Sequence, residues 1–158
     1  MADPSRDAAR LAEAHFRDHY NCCQSVLWGV TEARGLTCRR CIPAVALAMG
    51  GGIGHTGRAC GGLTGAVMAI GLAVDAAFAG VPIGERKDRA NREAAALVHR
   101  FEAEFGTPDC AVLLGFSWED PDALARYERA GAKENVCLPC VRWAAAGAAR
   151  LIDNLPGT

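Results

Sequence analysis

Between Ala59 and Ile83 the chain runs ACGGLTGAVMAIGLAVDAAFAGVPI, an apolar stretch studded with glycines, and this segment constrains the fold more than any other. Crossing a bilayer takes about 20 apolar residues. Leu63 to Val74 supplies only twelve before Asp75 interrupts, so a membrane span is not expected. A central buried helix beginning near Cys60 and running to about Ala79 is the better reading. Gly61, Gly62, Gly65 and Gly71 weaken such a helix intrinsically. Their presence makes sense if another backbone packs closely against it.

A buried helix needs other helices around it, and the flanking segments provide them. Asp3 with Pro4 reads as a helix start, with Ala8, Leu11, Ala14 and His15 along one face. Asn21 reads as the cap of a second helix, Cys22 to Arg34, stopped by Gly35. Pro43 suits the start of a third, ending near Met49. Glu85 to Phe105 carries an apolar stripe at helical spacing: Ala90, Ala94, Leu97, Val98, Phe101 and Phe105. Thr107-Pro108 caps a short helix containing Cys110, Leu113 and Leu114. Another short helix is expected after Pro121, and a last one over Leu138 to Leu151, with Pro139 near its start. No segment alternates with period two, and aromatic residues are only 6% of the chain, so no strand is expected. The expectation is an all-α, single-domain bundle of six to eight helices around the glycine-rich one.

The formal net charge of −1 leaves no basic footprint for nucleic acid and no polybasic patch for a membrane surface. Eight cysteines stand out. A chain of this length can bury a sufficient core without disulfides. Met1 to Tyr20 mixes acids and bases with no apolar run, unlike a signal peptide, so a reducing, cytoplasmic setting is expected. There, cysteines in this number point to metal binding or redox chemistry, with one to three of them simply packing as small core residues.

Their positions carry more than their number. Cys22 follows a cap, Cys60 opens the helix after a glycine loop, Cys110 sits in the first turn after Thr107-Pro108, and Cys137 and Cys140 flank Pro139. Helix N-termini present unpaired N–H groups and partial positive charge, which favour thiolate over thiol. Thiolate is the form that binds metals and attacks disulfides. If these starts converge, Cys22, Cys60, Cys110, Cys137 and Cys140 make a thiolate cluster able to ligate a metal or act catalytically.

The pairs Cys38-Arg39-Arg40-Cys41 and Cys137-Leu138-Pro139-Cys140 have the spacing of a four-thiolate zinc site, although they lie far apart in sequence. Neither is followed by His, which excludes the haem-attachment pattern. Gly52-Ile53-Gly54-His55-Thr56-Gly57 matches a dinucleotide fingerprint in letters only, since no strand precedes it. Gly52, Gly54, Gly57 and Gly61 are better read as allowing close backbone approach, with N–H groups offered to a ligand or to the Cys60 sulfur. His55 is expected to be solvated rather than a ligand, and Arg58 either exposed or a support for the Cys60 thiolate. No Ser-His-Asp arrangement and no inward-facing carboxylate pair supports hydrolysis.

Tyr20 to Val26, Gly50 to Gly54, Cys60 to Gly71, Phe101 to Cys110 and Cys137 to Val141 together resemble the C_GCAxxG_C_C family of redox-active proteins, over roughly Ala8 to Ile152. The resemblance implies four characteristic cysteines, here Cys22, Cys60, Cys110 and either Cys137 or Cys140. It implies redox chemistry and identifies no substrate. Ala59-Cys60-Gly61-Gly62 departs from the Gly-Cys-Ala of the family name, and the remaining cysteines are additional. Three readings stay open. One is an iron–sulfur or other metal centre passing electrons to an unidentified redox partner. Another is metal-free thiol–disulfide chemistry led by Cys60. The third is structural zinc. The apolar, glycine-rich helix also suggests a homodimer.

Overall fold

The computed structural model describes residues 4–36 and 41–156. Asp3 and Cys38 lie outside the described residues, and with them the expected first cap and half of one cysteine pair. Eight α-helices are described: α1 (Pro4–Arg17), α2 (Cys22–Ala33), α3 (Ile42–Val45), α4 (Gly61–Ala77), α5 (Ile83–Phe105), α6 (Cys110–Leu114), α7 (Ala123–Arg129) and α8 (Leu138–Ile152). A π-helical turn, Lys133–Cys137, runs directly into α8. The described residues contain no strand, so the fold is all-α as expected.

Helices α2, α4 and α8 pack on one another, α1 covers α2 and α8, and α5 covers α4 and α8. The shared core is filled by small and aliphatic side chains such as Val26, Ala66, Ile70, Val141 and Ala145, with Leu97 and Phe101 entering from α5. Close packing of this kind depends on glycine. A Cβ on Gly65 would lie 2.5 Å from the Cys23 carbonyl oxygen, so α4 touches the backbone of α2 there. A Cβ on Gly62 would meet the Cys140 backbone of α8 at 3.4 Å. The expected close approach is therefore real at these two positions and within one chain. Gly71, by contrast, has nothing near its absent side chain.

The start of α2 is built as its sequence suggests. Asn21 Oδ1 accepts from the Gln24 N–H at 2.9 Å, and the Asn21 N–H donates to Gln24 Oε1 at 3.1 Å, a reciprocal cap. Asn21 Nδ2 also donates to the Ala46 and Leu47 carbonyls, tying this end of α2 to the chain after α3.

Helix α5 starts two residues before the expected Glu85 and α4 ends at Ala77; two larger differences concern α3 and Cys137. Helix α3 ends at Val45, and the chain reaches Met49 through turns. The second difference bears on the site. Cys137 does not mark a helix start, because the π turn before it makes the helix continuous. Pro139 has no N–H, and its ring clashes with the carbonyl four residues back in a regular helix. The wider π turn just upstream accommodates it.

Candidate functional site

Gly50 to Arg58 forms an unusual left-handed turn. Gly51, Gly52, Ile53, Gly54 and His55 all have φ between 61° and 71°. This conformation costs a non-glycine residue roughly 1–2 kcal/mol, so Ile53 and His55 hold local strain. The loop N–H groups are spent on the loop itself: Gly54 on Ala48, His55 on Gly50, Gly57 on Gly51 and Arg58 on Gly52. Gly52, Gly54 and Gly57 thus have a scaffolding place and do not line the cysteine cavity described below.

What the loop sets up is its exit. The Cys60 N–H donates to the Pro108 carbonyl at 2.7 Å, and the Cys110 N–H donates to the Arg58 carbonyl at 2.7 Å. The Ala111 N–H reaches the Gly57 carbonyl at 2.9 Å. This short antiparallel bridge, Ala59 opposite Asp109, pins the start of α6 against the start of α4. Gly57 leaves room for the Ala111 methyl.

The result is convergence. Cys22, Cys60, Cys110, Cys137 and Cys140 line one cavity of about 20 Å³, closed by Gly61, Leu113, Leu114 and Val136. Gly61 alone of the four singled-out glycines lies on it, and a methyl there would run into the Cys22 sulfur. Cys60 and Cys110 are buried and Cys140 nearly completely so, while Cys22 and Cys137 are half-buried. None of these five is in a disulfide.

The five are not electrostatically equivalent. The Cys140 thiol donates to the Cys60 sulfur, and this bond outweighs the cost of burial in holding Cys60 down at about 7; the Leu63 and Gly62 N–H groups of the α4 start add to it. The other four shift upward. Cys140 is raised because its proton is held by Cys60, with burial adding to the effect. Burial raises Cys22, and charge on Cys60 raises it further. Burial and the same charge push Cys110 up to about 11, the neighbouring Trp118 indole opposing the rise; the indole N–H is itself buried without a hydrogen-bond partner. Burial pushes Cys137 up to about 12, against the Tyr127 hydroxyl, which donates to its sulfur at 3.7 Å.

Helix starts at Cys22, Cys60 and Cys110 predict thiolates alike. Cys60 alone of the five is shifted toward the thiolate, because burial holds the other thiols neutral and charge on Cys60 opposes theirs further. Cys137 and Cys140 lie inside a continuous helix and gain nothing from an N-terminus.

The remaining candidates fall elsewhere. Cys23 is a core residue, its sulfur 3.9 Å from that of Met68. Cys41 lines an apolar groove with Leu27, Met68 and Leu72, apart from the cavity that Cys137 and Cys140 line. Arg58 is exposed and acts through its backbone. His55 is exposed and stacks on Trp118, ring centres 4.8 Å apart. Trp118 in turn packs on Tyr127 at 5.1 Å. These two aromatic neighbours of the cluster, of which Tyr127 donates to Cys137, are not legible in sequence, since nothing in their spacing relates them to cysteines far along the chain.

As arranged, the sulfurs do not make a ready metal site. Among the described residues no group of three or more His, Cys, Asp or Glu is placed to hold a metal ion, and a cavity of this size holds about one water. No helix among the described residues is long and apolar enough to cross a membrane.

An all-helical fold that gathers five cysteines from four elements onto one cavity has the features of a cysteine-based redox protein. A family model described as "Putative redox-active protein (C_GCAxxG_C_C)" matches residues 20–151. The chain belongs to this family. No curated protein and no solved structure matches it.

Proposed function

We propose that this protein is a thiol–disulfide redox protein whose working couple is Cys60 and Cys140. The observation that carries the reading is that Cys60 and Cys140 line one small cavity with opposed acidities, the Cys60 thiol lowered chiefly by Cys140 and the Cys140 thiol raised chiefly by Cys60. Oxidation joins the two sulfurs, removes two electrons and releases the shared proton. Reduction by an external thiol reverses this, through attack of that thiolate on the disulfide and a mixed-disulfide intermediate. The test is equilibration of the pure protein for hours in graded mixtures of reduced and oxidised dithiothreitol, followed by acid quench and disulfide mapping. A single reversible Cys60–Cys140 disulfide is expected, absent from Cys60→Ser and from Cys140→Ser while both variants keep their helical circular dichroism. A reversible couple that leaves Cys60 reduced throughout would contradict it.

A second reading rests on the five sulfurs sharing one cavity. If the wall opened, four of them would suffice for an iron–sulfur centre serving one-electron transfer, or for zinc. Protein purified without oxygen and carrying stoichiometric iron with sulfide, or zinc, would favour this reading. Metal-free protein that also resists reconstitution would leave the dithiol couple.

A further inference from the structure

The cavity beside Cys60 says what kind of oxidant this couple can meet. Its walls are the five cysteines with Gly61, Leu113, Leu114 and Val136, and no acidic, basic or histidine side chain lies among them. Its volume of about 20 Å³ is that of a site for one water or a solute little larger. A peptide disulfide is far larger than this cavity. Glutathione disulfide is larger still than the cavity and carries carboxylates and ammonium groups, which are costly to bring against an apolar wall. A compact, neutral, two-electron oxidant has neither difficulty. Among such solutes hydrogen peroxide combines small size, no charge and a weak O–O bond that a thiolate cleaves.

We propose that the cavity enclosed by Cys22, Cys60, Cys110, Cys137 and Cys140 is a hydrogen-peroxide site, at which Cys60 takes the oxygen and Cys140 resolves the product. This rests on the Cys60–Cys140 couple proposed above and assigns its oxidant. In the first step the Cys60 sulfur attacks one peroxide oxygen. An S–O bond forms, the O–O bond breaks, and hydroxide leaves, to be protonated by solvent. Cys60 is then a sulfenic acid. In the second step the Cys140 sulfur attacks the Cys60 sulfur. The S–S bond forms, the S–O bond breaks, and the oxygen leaves as water with the Cys140 proton. One peroxide is reduced by two electrons and one dithiol is oxidised. Cys140 lines the same small cavity as Cys60, so the resolving sulfur faces the site where the sulfenic acid forms.

The test compares hydrogen peroxide with glutathione disulfide at equal concentration on the fully reduced protein, with loss of thiols and disulfide mapping as readouts. Peroxide is expected to oxidise Cys60 at least an order of magnitude faster than glutathione disulfide, with two thiols lost per peroxide and a Cys60–Cys140 bond formed. In Cys140→Ser the product is expected to stop at sulfenic acid on Cys60, captured by dimedone. Leu114→Ala, which widens the cavity, is expected to speed the reaction with glutathione disulfide and so to narrow the ratio between the two oxidants. Equal rates for the two oxidants, or a peroxide product joining Cys60 to Cys22, would overturn the assignment. If the dithiothreitol couple is intact while peroxide shows no preference, the inference fails and the couple survives; if neither is seen, both fail.

Discussion

At the scale of single residues, burial divides one proton inventory among five thiols. Cys60 is held at about 7, below its ordinary 9.0, so the folded state favours its thiolate. That stabilisation is complete above the unfolded value near 9 and is lost as pH falls through about 7. Cys110, pushed up to about 11, behaves oppositely: its stabilisation is complete below 9 and is lost as pH rises through 11. Stability to urea is therefore expected to rise from pH 7 to near 9 and to fall beyond it. The Cys60 part is on the order of 2–3 kcal/mol, since each tenfold change in an ionisation constant is worth about 1.4 kcal/mol. Cys60→Ser should abolish the rise and keep the fall; a rise that persists in this variant would show that Cys60 is not its source. Sequence locates these residues through caps, because Asn21 and the Thr107-Pro108 step announce helix starts locally. It does not separate Cys60 from Cys22 and Cys110, since their difference comes from burial, from the neighbouring Cys140 thiol and from mutual charge, all of which exist only once the helices meet.

At the scale of elements, α4 shows how far local pattern reaches. Its glycines signal close contact, and Gly65 sits against the Cys23 carbonyl. Gly65→Ala is expected to cost about 1–3 kcal/mol by overpacking. Gly71, with open space around it, carries only the helix penalty of glycine, so Gly71→Ala is expected to be neutral or to stabilise by up to about 1 kcal/mol. Chemical denaturation of the two variants side by side checks this, and equal losses would show that the glycines do not differ in packing. The π turn at Lys133–Cys137 has no signal in the sequence. Pro139 reads as a helix opening because proline is common there, whereas a widened turn lets it stand inside a longer helix.

At the scale of the whole molecule, the cluster is a product of topology. The left-handed loop and the bridge between Ala59 and Asp109 bring α6 to α4, α2 supplies Cys22, and the π turn with α8 supplies Cys137 and Cys140. The all-α class is legible from the missing period-two pattern and the stripe on α5. The convergence of the cysteines is only a conditional in the sequence, since no local signal fixes which helix ends meet. The glycine loop reads in sequence as a cradle of free N–H groups, but its hydrogen bonds turn inward because a left-handed turn satisfies its own carbonyls. The central claim is that one thiolate exists near neutral pH and that it is Cys60. The most direct measurement is a pH titration of thiolate ultraviolet absorbance on the reduced protein, which counts thiolates whether or not reagents can reach them. One thiolate titrating near 7 in the wild type, missing from Cys60→Ser, with the other buried cysteines ionising only above the ordinary thiol range, is the predicted result. No ionisation below about pH 8, or an unchanged step in Cys60→Ser, would contradict it.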